Sequence, residues 1–129
     1  MLRDTLVTKA IDALSVAKKH LDRSIENLVN RELKELYANL WLASSNIEYS
    51  AFLLSQILEE KPALETLKGG SKISNIDDVY AILTDLNSIV EEALKEIKED
   101  SVTEAYLSVK AAQKKLLKIL MFIEKGKLV

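Results

Sequence analysis

The apolar residues of the chain recur at alternating steps of three and four positions, which is the period of amphipathic helices. This pattern predicts four helices. The first runs from Asp4 or Thr5 to about Asn30, and the second contains the apolar stretch 36–58 and ends by Lys61. The third begins in 74–77, and the fourth runs from 101 to about Lys125. We therefore expect an all-α fold, an antiparallel four-helix bundle formed by one domain over 1–129.

Turn residues and capping signals suggest where these helices begin and end. Asn27 and Asn30 are candidates for the turn after the first helix, because Asn tolerates the left-handed conformation. One continuous helix through this region is the alternative. A Ser three positions before a carboxylate indicates a capping box. This signal occurs at Ser74 and again at Ser101, where a turn of a few residues predicts that the third and fourth helices form an antiparallel pair.

The connection between the second and third helices contains Pro62, the only proline of the chain. Proline suits the first position of a helix, so 62–68 is predicted to form a short extra helix that Gly69 and Gly70 stop.

The stretch Leu36–Leu58 carries one formal charge, Glu48. One side of this helix forms a regular core face. The opposite side should be charged in an amphipathic helix, but here it is apolar too. A helix that is apolar almost all round is normally buried, by its own chain or by a partner. The residues expected on this second face are Trp41, Leu42, Tyr49, Phe52 and Leu53.

Two explanations of the second apolar face follow from the pattern. The chain itself could cover this face, with the following loop or an offset helix. Alternatively, a second copy or another helical protein could bind there, since a bare patch of this size would be a liability. A membrane span is rejected because polar residues interrupt the stretch and a carboxylate in mid-helix is costly in lipid.

Composition narrows the function classes. The net charge is −2, so no global attraction to nucleic acid or anionic lipid is expected. The absence of cysteine excludes disulfides and a thiol nucleophile and is compatible with the cytoplasm. The first segment carries charged residues where a signal peptide would need an unbroken apolar stretch, so export is not expected. Lys and Glu dominate the charged residues, a weak sign of heat adaptation.

The chain lacks the residues that familiar catalytic and metal sites require. His20 is the only histidine, and no Glu stands three residues before it, so neither a di-iron nor a zinc site is predicted. We expect His20 to lie half-exposed on the flank of the first helix. No serine-nucleophile turn and no phosphate-binding loop is present. The sequence therefore predicts no metal, no cofactor and no enzymatic activity.

Charged residues could still hold a ligand. Glu48 stands alone among apolar neighbours, a setting sometimes found at functional sites. Three lysines of the fourth helix are spaced by four and form an outward basic stripe, which is explained most simply by a solvated face that balances the acidic third helix. These lysines are Lys110, Lys114 and Lys118.

The segment EEALKEIKEDSVTEAYLSVKAAQKKLLKIL, which spans parts of the third and fourth helices, resembles the helical hairpin of HEPN domains. These domains are bundles found in RNases and as partners of small nucleotidyltransferases. The resemblance covers less than half of the chain and implies an accessory bundle that contacts a nucleotide or nucleic acid. The Arg-then-His motif of the RNase members is missing, so nuclease activity is not implied. Our first expectation is a non-catalytic interaction module that forms a homodimer; the ligand-binding bundle is the alternative.

Overall fold

The computed structural model describes residues 2–63 and 72–126, and it contains four α-helices and no strand within these ranges. The helices are α1 (Leu2–Val29), α2 (Leu33–Ile57), α3 (Ile76–Lys98) and α4 (Val102–Glu124). The all-α class and the four predicted helices are confirmed. The short helix predicted at 62–68 falls mostly on residues outside the described part, and the described residues 58–63 are not helical.

The four helices pack around one continuous core. α1 contacts α2 and α3, and α4 contacts the same two helices. Among the described residues, α1 does not contact α4 and α2 does not contact α3, so these pairs lie diagonally across the bundle. Each helix therefore occupies one corner, with one side toward the core and one toward solvent.

The helix ends at 30–32 and 99–101 share one geometry. Arg31 and Asp100 have positive φ angles of 58° and 61°. In each case the following backbone N–H donates to a carbonyl five residues earlier, Glu32 to Asn27 and Ser101 to Glu96. This is the Schellman motif, which satisfies the last carbonyls of a helix. The chain thus has two helices where one continuous helix was possible. Asn30 lies in the turn as expected, whereas Asn27 is still helical, and Arg31 takes the left-handed conformation that was expected of an asparagine.

Both predicted capping boxes need correction. The box of α3 lies one residue later than expected: Asn75 accepts from the Asp78 N–H at 3.0 Å, and Asp78 accepts from the Asn75 N–H at 3.3 Å. The box of α4 does not form, since Ser101 makes no side-chain cap hydrogen bond. The physical reason is that its N–H already closes the end of α3, leaving nothing for a capping carboxylate to accept.

Polar contacts tie α1 to α3 outside the core. Lys18 Nζ lies 3.0 Å from Glu91 Oε1 and 3.6 Å from Asp22 Oδ2, and it donates to Asn87 Oδ1 at 3.1 Å. The pKa of Lys18 is raised: partial burial alone would lower it, but the hydrogen bond from Lys18 to Glu91 and the charges of Asp22 and Glu91 outweigh burial.

His20 connects α1 to α2. It is half-buried on the helix flank, and its Nδ1 lies 3.0 Å from Asn39 Oδ1. The Asn39 amide in turn donates to Asn27 Oδ1 at 2.8 Å. Because an amide oxygen only accepts, the Nδ1 of His20 carries the hydrogen in this contact. The histidine therefore has a clear structural partner.

Candidate functional site

The side of α2 that points away from the core carries four large apolar side chains that remain about half exposed. The exposed fractions are 44% for Trp41, 48% for Leu42, 46% for Tyr49 and 57% for Phe52. No described helix buries these four side chains, so an offset helix does not explain the second apolar face within 2–63 and 72–126. The loop after α2, the other cover that the sequence suggested, falls mostly outside the described residues, so that explanation stays a prediction.

Two small residues lie between the large ones. Ser45 and Ala38 are exposed and seven positions apart, so they share one line along the helix. Trp41 and Leu42 stand one turn before Ser45, and Tyr49 stands one turn after it. We call the surface formed by Ala38, Trp41, Leu42, Ser45, Tyr49 and Phe52 the α2 outer face. Phe52 stands on the same line, seven positions after Ser45, so the line is low at Ala38 and Ser45 and raised at Phe52.

Leu53 does not belong to this face, although the sequence predicted it there. It is only 3% exposed and belongs to the main core cluster. Ser50, in the adjacent turn, is fully buried and donates from Oγ to the Ile47 carbonyl at 2.7 Å. The core side of α2 is therefore broader than its leucine stripe indicated, since it includes the flank that bears Leu53.

Trp41 is held in position by an aromatic neighbour. The ring centroids of Tyr37 and Trp41 are 6.1 Å apart and the ring planes meet at 82°, an edge-to-face arrangement. The Tyr37 hydroxyl donates to Glu124 Oε1 of α4 at 2.9 Å. Trp41 is thus supported from the α4 side of α2.

A groove of about 230 Å³ lies between α2 and α4 beside the outer face. Glu48 and Phe52 form part of its α2 wall, and Lys110 and Gln113 form part of its α4 wall. The Oε1 atom of Gln113 is buried and has no hydrogen-bond partner within 2–63 and 72–126. A buried acceptor in this state is uncommon in folded proteins. Sequence reasoning missed Gln113, because a single polar residue in a helix normally reaches water.

The predicted ligand residues do not form one site. Glu48 is exposed and shares the α2–α4 groove with Lys110. Lys118 lines a different groove, of about 590 Å³, together with Lys72 and Lys125. Lys114 lines neither groove. The basic stripe is therefore divided between two regions of the α4 surface.

Two further properties complete the description of the site. Within 2–63 and 72–126, no group of three or more His, Cys, Asp or Glu side chains comes together as a metal site would require. None of the helices in the described ranges combines the length and the apolar character needed to cross a bilayer.

Comparison with known proteins finds no relative of this chain. Neither the family models, the curated proteins nor the solved structures compared with the chain give a match.

Proposed function

We propose that this protein is a non-catalytic helical interaction module that self-associates into a homodimer through the α2 outer face. The observation that carries the proposal is the half-exposed state of Trp41, Leu42, Tyr49 and Phe52 on one helix. Aromatic residues are enriched at protein interfaces and dominate their binding energy. A cytoplasmic location stays a prediction of the sequence.

We also infer that neighbouring helices of the bundle run antiparallel. Support comes from the order of the contacts. Between α1 and α3, Arg3 pairs with Asp100 and Lys18 pairs with Glu91, so residue numbers rise along one helix as they fall along the other. Between α2 and α4, Tyr37 bonds to Glu124, whereas Glu48 shares a groove with Gln113. The same order between α1 and α2 follows from the short link at 30–32.

A second copy is the occupant that suits the outer face best, because the face is complementary to itself. Homodimers usually form around a twofold axis that brings one patch against its own copy. If this axis passes at Ser45 between antiparallel α2 helices, each position before 45 meets the position equally far after it. Ala38 of one copy then meets Phe52 of the other, which pairs a small residue with a large one. By the same rule Trp41 lies level with Tyr49, and Leu42 lies level with position 48, one residue from Tyr49.

The size of the face predicts a dimer of moderate affinity. With each large side chain offering on the order of 200 Å² and about half of it exposed, the four residues present roughly 400 Å² per copy. Stable interfaces bury about 800 Å² per partner. We therefore expect a dissociation constant in about the micromolar range and a mass that depends on concentration.

Sedimentation of the full chain tests the proposal. The wild type should change from monomer to dimer over roughly 1 µM to 1 mM, the range that spans micromolar dissociation constants. Leu42→Lys and Tyr49→Lys, singly and together, should give a folded monomer, because each places a charge in an apolar contact. The matched control is Tyr80→Lys on α3. Tyr80 is 46% exposed, like Tyr49, but its helix does not contact α2.

Two results would overturn the proposal: a wild type that is monomeric at every concentration, or a control variant that dissociates the dimer as strongly as Tyr49→Lys does. The accessory ligand-binding alternative predicts instead that nucleotide or RNA binds, with an affinity that falls steeply with salt. We do not favour it, because only Lys110 of the three lysines lies with Glu48.

A further inference from the structure

The groove beside the last turns of α4 combines positive charge with an apolar surface. One of its walls is formed by α4, and the other by residues 72–74, which are not helical and precede the start of α3. Its volume of about 590 Å³ lies within the 300–1,000 Å³ that is typical of small-molecule sites. We call it the α4 end groove. It is the larger of the two grooves described above, and the α2 outer face contributes no residue to its described lining.

The apolar surface of the α4 end groove is supported by the core. Ile73 and Phe122 are partly buried and pack against the core cluster, so the fold holds them in place. Met121 lies beside them and is 47% exposed. Its unbranched side chain adapts to irregular apolar shapes. None of these three side chains is a strong hydrogen-bond donor or acceptor, so the surface that they form suits an alkyl chain.

Three lysines line the same groove. Lys72 and Lys125 are exposed, and Lys118 is half-buried. Lys118 and Lys125 are seven positions apart on α4, which places them about two turns, or roughly 10 Å, apart on one side of the helix. Met121 and Phe122 lie between them along α4. The apolar surface is therefore flanked by cations, and Lys72 adds a third from the opposite wall.

The carboxylates closest in sequence to these residues have other partners. Asp78 accepts hydrogen bonds from the backbone N–H groups of Ser74 and Asn75, at 2.8 and 3.3 Å. Glu124 accepts from the Tyr37 hydroxyl of α2 at 2.9 Å. Within 2–63 and 72–126, the lining of the groove includes no Asp or Glu side chain. The charge of the described lining is thus positive, and it is complementary to an anion.

The polar groups of the groove also restrict the kind of anion. A lysine ammonium group only donates hydrogen bonds, which suits a carboxylate. A nucleobase needs partners along its edge that both donate and accept, and Ser74 is the only side chain of the described lining with both properties. The occupant that fits is therefore an amphipathic anion with an alkyl chain.

We propose that the α4 end groove binds a fatty-acid anion, with its alkyl chain against Ile73, Met121 and Phe122 and its carboxylate among the lysine ammonium groups. This activity goes beyond the proposed self-association and does not rest on it, because the two use different surfaces. The apolar contact supplies affinity in proportion to the area removed from water. The lysines select an anionic head group and orient the chain.

Equilibrium dialysis of the full chain against radiolabelled dodecanoate, below its micelle concentration, tests the proposal. The wild type should bind one molecule per chain with a dissociation constant below about 1 mM. Decanoate should bind more weakly, by up to roughly fourfold for each CH₂ group that the groove buries. Acetate, which lacks the chain, and dodecyltrimethylammonium, which carries the opposite charge, should not compete with dodecanoate.

Two pairs of variants locate the binding. Lys72→Glu/Lys125→Glu should raise the dissociation constant by roughly tenfold or more, because each change replaces attraction by repulsion. Its matched control is Lys9→Glu/Lys19→Glu, which changes the net charge equally at two exposed lysines of α1, diagonally across the bundle from α4.

The second pair tests the apolar surface. Met121→Ser should weaken binding several-fold, since it removes part of the surface that the alkyl chain contacts. Leu107→Ser is its control on the same helix, because Leu107 is 38% exposed and lies outside the described lining of the groove. Circular dichroism checks that all four variants remain helical.

The outcomes separate this proposal from that of the dimer. Saturable binding that both groove variants weaken and both controls preserve supports the site. Binding of many molecules per chain, displacement by dodecyltrimethylammonium, groove variants that bind as the wild type does, or no saturable binding below about 1 mM would each overturn it. The dimer is measured separately by sedimentation without fatty acid, so either proposal can fail while the other stands.

Discussion

Tyr37 packs its ring edge-to-face against Trp41, with centroids 6.1 Å apart, and its hydroxyl reaches across to Glu124 of α4 at 2.9 Å. One residue thus joins α2 to α4 and supports an aromatic side chain of the α2 outer face. A partly ordered interface side chain loses less conformational entropy on binding than a free one. This relationship gives the first prediction.

Tyr37→Phe and Tyr37→Ala should differ in their effects on the dimer. The Phe variant keeps the ring against Trp41 and loses one exposed hydrogen bond, so the free energy of unfolding should fall by less than about 1 kcal/mol and the dissociation constant should hardly change. The Ala variant removes the support of Trp41 and should weaken the dimer several-fold, together with a lower fluorescence anisotropy of the indole. Equal dissociation constants for the two variants would contradict a positioning role for the ring.

Leu42 and Leu53 offer a test with the same substitution on one helix. Leu53→Ala opens a cavity in the core and should lower the free energy of unfolding by about 2–5 kcal/mol. Leu42→Ala removes a side chain that is 48% exposed and should cost the monomer much less, while weakening the dimer. Chemical denaturation at low protein concentration gives the first quantity, and sedimentation gives the second. If Leu42→Ala destabilises the monomer as much as Leu53→Ala does, Leu42 is a core residue and the outer face is smaller than described.

Ser45→Phe distinguishes a fitted interface from general stickiness. The substitution makes the outer face more apolar, so non-specific association would increase. A helix pair that crosses at a small residue would instead be forced apart, and overpacking of this kind typically costs about 1–3 kcal/mol. We therefore expect the dissociation constant measured by sedimentation to rise by roughly tenfold or more, with unchanged helical content by circular dichroism. The control is Ser88→Phe, at an exposed serine of α3. A tighter dimer for Ser45→Phe would rule out the proposed crossing point.

The raised pKa of Lys18 predicts that the stability of the fold depends on pH in the alkaline range. Its pKa in the folded protein is raised, so its pairing stabilises the fold fully below the unfolded value of about 10.4. This contribution is lost as the pH rises through the folded pKa, which lies above that value. Lys18→Met should remove this part of the alkaline loss of stability and should cost no more than about 1 kcal/mol at neutral pH, because both partner carboxylates are largely exposed.

Denaturation curves of the wild type and Lys18→Met at pH 8 and at about pH 11 would measure this difference. Lys98→Met is a suitable control, since Lys98 is an exposed lysine of α3. Parallel losses of stability for Lys18→Met and the wild type would show that the ion pairs of Lys18 do not stabilise the fold.

The helices could be predicted from the sequence, but their ends could not. Apolar periodicity depends on residues within one helix, and it placed four helices correctly. Helix ends depend on competition between neighbouring groups. The N–H of Ser101 closes the end of α3, which prevents the capping box that its own sequence signal indicated. Arg31 takes the left-handed conformation although Asn30 stands beside it.

The candidate site was predicted in part. The sequence by itself determined that α2 has apolar residues on both sides, because this property depends only on composition and on the helical period. Only the tertiary structure decided which of them remain exposed: Leu53 joins the core, whereas Leu42 and Tyr49 do not. It also brought Gln113 of α4 beside Phe52 of α2 in one groove. Burial and grooves arise from the packing of helices distant in sequence, and no periodicity within a single helix records which neighbour will lie against it.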